Sequence, residues 1–213
     1  MAWNMKKTLF WKKILIAALL TLLPVDQTLA QLPSAPAPEK VEENALISQE
    51  TGINYAPLQK LLAKQKWRDA NEKTYQFFLK ATGREVQGWI AQEQLKQFPC
   101  DDLRIMDQLW RKYSDNRFGF TVQFPIFVAT GNRPGRLTTI EAYQDFGDRL
   151  GWHKGEDWII FKENLDYSLS APVGHLPAPR PEYLVTGGRL DYSNLAGRMV
   201  SCQLVSLPKA EKM

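Results

Sequence analysis

A chain of 213 residues, 44% hydrophobic and 23% charged, suffices for one well-buried domain and leaves little room for a second. Its formal net charge of +4 is carried largely by the first thirty residues. Without those four Lys and Asp26, 23 basic and 22 acidic residues remain, so no concentrated basic stripe argues for nucleic acid as a partner.

The first thirty residues have the layout of an export signal. Lys6, Lys7, Lys12 and Lys13 precede the apolar run Ile14–Leu23, Pro24 ends it, and Thr28-Leu29-Ala30 offers a small residue for cleavage. Such a run is too short to cross a bilayer, which takes roughly 20 residues. The expectation is a signal peptide over 1–30 and export to a periplasm or thylakoid lumen. The alternatives are an uncleaved, membrane-anchored signal and a plastid transit peptide, the latter poorly served by the Ser and Arg content. Residues 31–53, with Pro33, Pro36, Pro38, Glu39, Glu42 and Glu43 and few apolar residues, are expected to form a linker. A helical domain is expected over 54–206.

From Tyr55 the apolar spacing is helical. Tyr55, Leu58, Leu61 and Leu62 mark a first helix, and Ala70, Thr74, Phe77, Phe78 and Ala81 share a face of a second that Gly83 stops. Gly83–Gly88 is a loop leading into a short helix closed by Pro99, after which Asp101 is placed to cap a helix carrying Leu103, Met106, Leu109 or Trp110, and Tyr113. "FTVQFPIFV", residues 120–128, reads as extended from its β-rich composition. A capping box, Thr138-x-x-Glu141, opens a helix with Ile140, Tyr143, Phe146 and Leu150 on one face and Gly151 as its cap. A Pro- and Gly-rich loop then leads to a last short helix around "YSNLAGRMVSCQL". The expected class is all-α: a small bundle of short helices whose connections leave a cupped groove.

Chemistry-bearing patterns are few. His153 and His175 stand apart from any Cys, acidic pair or other His, and the chain has no zinc spacing, phosphate loop or serine elbow. Without a positioned acid or base and its orienting partner, the expectation is a non-catalytic protein. Cys100 and Cys202 either pair, as an exported chain permits, or stay separate buried thiols.

Four ordered blocks carry more information: "LLAKQKWRDANEKT" (61–74), "FPCDDLRIMDQLWRKYSDNRFGFTVQ" (98–123), "GDRLGW" (147–152) and "GHLP" (174–177). Together they closely resemble the genomes-uncoupled (GUN-four-type) porphyrin-binding domain, the tetrapyrrole-binding regulator of magnesium chelatase in cyanobacteria and plastids. The resemblance implies an all-helical, cupped-hand fold that holds protoporphyrin IX or Mg-protoporphyrin IX between two loops, here around Gly83–Ile90 and around "GHLPAPRPEYLVTGG", without catalysis of its own. It also implies contact with the large chelatase subunit, which works on the cytoplasmic or stromal side and is accessible only to a cytoplasm-facing anchored form. The membrane would be met only through the N-terminal segment.

A porphyrin is a wide aromatic plane with two propionates on one edge, so a fitting site has apolar walls and Arg at its rim. Trp89, Phe118, Phe120, Val122 and Phe124 are the candidate walls, and Arg84, Arg117, Arg189 and Arg198 the candidate rim charges. Leu176, Tyr183 and Asn194 join them by their place in or after the second loop. Competing structural roles are core packing for Phe120 or Phe124 and an ion pair of Arg117 with Asp115 or Asp102. An interaction module that has kept the fold and lost the ligand is the alternative function.

Overall fold

The computed structural model of the protein describes residues 43–159, 165–178 and 189–207; the expected signal segment and Tyr183 lie outside these. Among the described residues the fold is helical, with one two-residue hairpin. A 3-10 turn (Glu43–Leu46) precedes α1 (Ala56–Ala63), α2 (Trp67–Ala81), α3 (Gln92–Lys96), α4 (Cys100–Tyr113), α5 (Phe120–Ala129), α6 (Ile140–Leu150), β1 (His153–Lys154), β2 (Asp157–Trp158) and α7 (Arg189–Ser201). The all-α expectation holds.

The core forms where the apolar stripes of α2 and α4 face each other. Trp110 of α4 is fully buried, stacks on Trp67 of α2 at 6.1 Å, and donates its indole N–H to the Thr74 hydroxyl at 2.9 Å. The ring of Phe118, from the turn after α4, meets Trp67 edge-on at 5.6 Å. Phe118 is therefore core, not the wall of a groove. A second aromatic layer joins Phe127 of α5, Phe146 of α6, Trp152 and Tyr192 of α7, with centroids 4.7–6.0 Å apart.

Residues 120–128 are helical, not extended. Their buried side chains, Phe120, Gln123, Phe124 and Phe127, already follow the three- and four-residue step of a helix; composition alone suggested a strand. Phe124 is core, and Val122 is only half-buried. The helix start is supplied from elsewhere in the fold. Asp107 of α4 accepts from the Thr121 N–H and from the Thr121 hydroxyl, both at 2.8 Å, satisfying one of the free donors at the helix terminus. Gly119 precedes it at φ 137°, where a Cβ would stand 2.8 Å from Arg111 Cγ and 3.0 Å from Asp107 Oδ1; a side chain there would displace the cap.

Three other expectations are revised. Residues 43–53, assigned to the linker, pack against α4: the Thr51 and Tyr55 hydroxyls each donate to buried Asp102 at 2.6 Å, and the Ser48 hydroxyl bonds the same carboxylate. Asp101 does not cap α4 but accepts from the Gln49 N–H at 2.6 Å. The N-cap of α6 is Thr139, whose hydroxyl accepts from Ala142, so the motif starts one residue later and Ile140 is 54% exposed. Gly151 caps α6 in the left-handed conformation, φ 69°. Of the two alternatives for the cysteines, the structure has the pair: a disulfide joins Cys100, at the start of α4, to Cys202, just past α7, with Cα atoms 5.3 Å apart.

Candidate functional site

Two of the sequence blocks come together as one device. The turn Arg117–Gly119 and the loop 171–178 are zipped by backbone bonds from Gly174 N to Arg117 O (2.8 Å) and from Gly119 N to Leu176 O (3.0 Å). Arg117 donates its Nε to Ala171 O at 2.9 Å and an Nη to the same carbonyl. Neither Asp115 nor Asp102 pairs with it; a backbone carbonyl takes the place of the expected acid. Gln123, on the buried face of α5, completes the joint: its amide donates to Gly174 O at 2.9 Å and to Pro177 O at 2.8 Å and accepts from the Tyr192 hydroxyl at 3.0 Å. Burial pushes the Tyr192 phenol well above its ordinary range, which keeps it a donor.

That joint fixes one wall of a groove. Asn71, Thr74, Tyr75 and Phe78 of α2 face Asp191, Tyr192 and Leu195 of α7, with Phe120 and Gln123 of α5, Leu95 of α3 and the Pro177–Ala178 step closing the sides. Asn71 accepts from the Ala178 N–H at 2.7 Å, tying the loop to α2. The lining is apolar and aromatic with a few amide and hydroxyl groups. Its free volume is about 50 Å³, against roughly 300–1,000 Å³ for sites that hold drug-sized ligands, so a macrocycle enters only if the walls separate.

Of the residues singled out in the sequence, Phe120 lines the groove, and Leu176 is fully buried beside Pro177, which does. Arg84 and Trp89 meet each other instead: the guanidinium lies 4.3 Å over the indole, which is 51% exposed. Their loop is tied to the groove through Tyr75, whose hydroxyl donates to Gly88 O at 2.6 Å. Arg198 gives its Nε to Phe98 O at 2.6 Å, holding α7 to the segment before α4. Arg189 opens α7; its side chain lies outside the described residues. Asn194 falls in sequence between the lining residues Asp191 and Leu195 of α7, is buried, and among the described residues has no hydrogen-bond partner for Oδ1 or Nδ2. Sequence reasoning missed Asn71, Gln123 and Tyr192. The available signal was Gln123 itself, a polar residue at the helical step of an otherwise apolar face.

His175 secures the loop from behind. Its Nδ1 lies 2.6 Å from Leu150 O; a carbonyl only accepts, so Nδ1 carries the hydrogen and Nε2, buried and without a partner among the described residues, is bare. Burial lowers the His175 pKa against smaller upward pulls from the Leu150 carbonyl and Asp166. The unfolded chain, at about 6.5, then binds more protons than the folded one, so this group's contribution is complete above that value and is lost as pH falls towards the folded value. Asp107, raised by burial, acts in the opposite sense above its ordinary range. The expected result is that His175→Asn, which keeps a donor and cannot titrate, loses less stability than the native chain between pH 6.5 and 5. Urea unfolding at both pH values isolates His175, because Asp107 is common to both proteins.

A model of the GUN4-like family matches residues 48–183. Among curated relatives, a Ycf53-like protein of Synechocystis sp. is 32% identical over 128 residues, 59% of this chain and 51% of the relative. The chloroplastic tetrapyrrole-binding protein of Arabidopsis thaliana is 27% identical over 139 residues, 60% and 49% of the two chains. The chain thus spans about half the length of the curated relatives it matches. The ligand-free structure of Arabidopsis thaliana GUN4 aligns with a TM-score of 0.54 at 25% identity, covering 67% of this chain and 93% of that one. GUN4 from Chlamydomonas reinhardtii aligns with a TM-score of 0.55 at 23% identity, covering 71% and 94%, which shows a shared fold. The family match takes in the zipped turn, the loop it holds and most of the groove, and the chain belongs to the GUN4-like family.

Proposed function

We propose that the protein binds a tetrapyrrole, protoporphyrin IX or its magnesium form, in the groove between α2 and α7, without catalysis, and that it acts as an exported carrier or sensor. Asn194 supports this reading: a buried amide with no partner among the described residues costs about 1–3 kcal/mol, and it lies on the helix that lines the groove, where a ligand that parts the walls would offer it a bond. The walls suit an aromatic plane, with the amide and hydroxyl groups of Asn71, Thr74 and Gln123 among them. Arg117 is withdrawn from the rim by its carbonyl partner. The disulfide accords with an oxidising compartment. Contact with magnesium chelatase would require the N-terminus to remain as a cytoplasm-facing anchor; a mature protein beginning at Gln31 by mass spectrometry supports export, and an intact Met1 in membranes removes it.

The expected result for Asn194→Leu is opposite in the two states: a more stable free protein, and tetrapyrrole affinity weaker by about 1–3 kcal/mol. Tryptophan quenching on titration with both tetrapyrroles, beside thermal unfolding, reads each. Saturable binding that Asn194→Leu leaves unchanged would exclude the amide from the site. The small free volume favours a second reading, an interaction module with the groove closed for good; flat titrations of the native chain would establish that one.

A further inference from the structure

The face of α7 that lines the groove continues unbroken to the disulfide. Asp191 and Leu195 are in the lining, Arg198 is three residues on, and Cys202 four beyond that. The opposing segment runs in step: Leu95 lines the groove, Phe98 receives the Arg198 Nε at 2.6 Å, and Cys100 closes the covalent link. Phe98 also stacks at 4.4 Å on Phe78, another lining residue, and Arg104 of α4 donates to Cys202 O at 3.3 Å. The disulfide is therefore the covalent end of a zipper whose other end is the binding groove.

We propose that the Cys100–Cys202 bond sets the ligand affinity of the groove, so that a dithiol reductant lowers that affinity and reoxidation restores it. A wall held in its binding position loses less freedom when the ligand arrives, and the disulfide adds a covalent tie to the Arg198–Phe98 hydrogen bond and the packing of α3 on α7. Cys100 is half-buried and Cys202 buried, so in this proposal the thiolate of the reductant attacks the Cys100 sulfur, on the less buried of the two residues. It forms a mixed disulfide there as the Cys100–Cys202 bond breaks, and Cys202 leaves as a thiolate that takes up a proton. The second thiol of the reductant then attacks its own sulfur in that mixed disulfide. Cys100 is freed, takes up a proton, and the reductant departs as its disulfide. Two electrons and two protons have passed to the protein. The ligand is released where dithiols are supplied and held where disulfides persist.

The identity of the ligand rests on the tetrapyrrole reading; the coupling of disulfide to groove does not. The test compares the full chain oxidised, the same chain after dithiothreitol, and a C100S/C202S variant, by protoporphyrin IX titration and by amide hydrogen exchange. The expected result is affinity at least tenfold weaker after reduction, with the Ser variant matching the reduced chain and insensitive to dithiothreitol. Exchange should quicken in α7 and residues 95–100 while the centres of α4 and α5 stay protected. Equal or tighter binding by the reduced chain would overturn the proposal, as would protection lost throughout, which would make the bond a staple of the whole fold. If no form binds protoporphyrin IX, the tetrapyrrole reading fails alone, and exchange decides the coupling: selective quickening of α7 sustains it, and unchanged exchange removes it.

Discussion

Replacing Gln123 with Leu is expected to lower stability by about 4 kcal/mol, from the cost of leaving buried polar groups without partners, and to weaken the proposed tetrapyrrole binding at least tenfold. Leu fits the apolar face of α5, so nothing in local propensity opposes it. The loss comes from the groups it strands: the carbonyls of Gly174 and Pro177 and the hydroxyl of Tyr192, all satisfied by one amide. For a domain of this size such a change lowers the melting temperature by roughly 10 °C. Pro177 and Tyr192 both line the groove, so the same substitution loosens two walls. Gln123→Glu discriminates further, because an ionised carboxylate accepts from Tyr192 but cannot donate to either carbonyl. Melting temperature and titration together check this; native values for Gln123→Leu in both would show that the joint is not held by the amide.

Asp102→Ala is expected to cost about 4 kcal/mol, since a buried carboxylate with several hydroxyl donors contributes more than a neutral bond. Asp102 is fully buried and receives Ser48, Thr51 and Tyr55. Burial, and then the neighbouring carboxylates Asp102 and Asp101, push the Tyr55 phenol far above its ordinary range, so it stays protonated and donates. Without the carboxylate three hydroxyls lose their acceptor together, and the arm 43–55 keeps only its own turn and bridge, the bonds of Gln49 and Glu50 with Asp101, and the apolar contacts of Leu46 and Ile53. The measurement is urea unfolding beside limited proteolysis: the variant should be cut within 43–55 under conditions where the native chain resists. Asp102→Asn, keeping one oxygen, should fall between the two. Equal cleavage of all three proteins would show that the arm is held by its apolar contacts through Leu46 and Ile53.

The class of fold was legible because α1, α2, α4 and α6 each bury one stripe, and a stripe is written in the spacing of Leu58 and Leu62, of Thr74 and Phe78, or of Met106 and Trp110. α5 was misread because its composition favours strands, and the carboxylate that starts it, Asp107, lies on another helix. The arm 43–53 looked like linker for the same reason: its few hydroxyls become structural only opposite Asp102, about fifty residues away. Among the candidate site residues chosen by type, Phe120 lines the groove and others belong to the fold. Arg117 and Phe118 have the right chemistry for a porphyrin and are used by the fold, while Asn71 and Tyr192 line the groove and carry no signal of it in the sequence.

The sequence by itself determined which segments are helical wherever burial is one-sided, and the ordered blocks that place the chain in its family. Those are properties of spacing and residue type, which short stretches of chain express alone. Only the tertiary structure decided that the two cysteines pair, that the 117–119 turn and the 171–178 loop are one joint, and which polar groups face the groove. Each of these depends on the partner of a buried donor, acceptor or sulfur lying some 50 to 100 residues away, and local spacing carries no record of that distance.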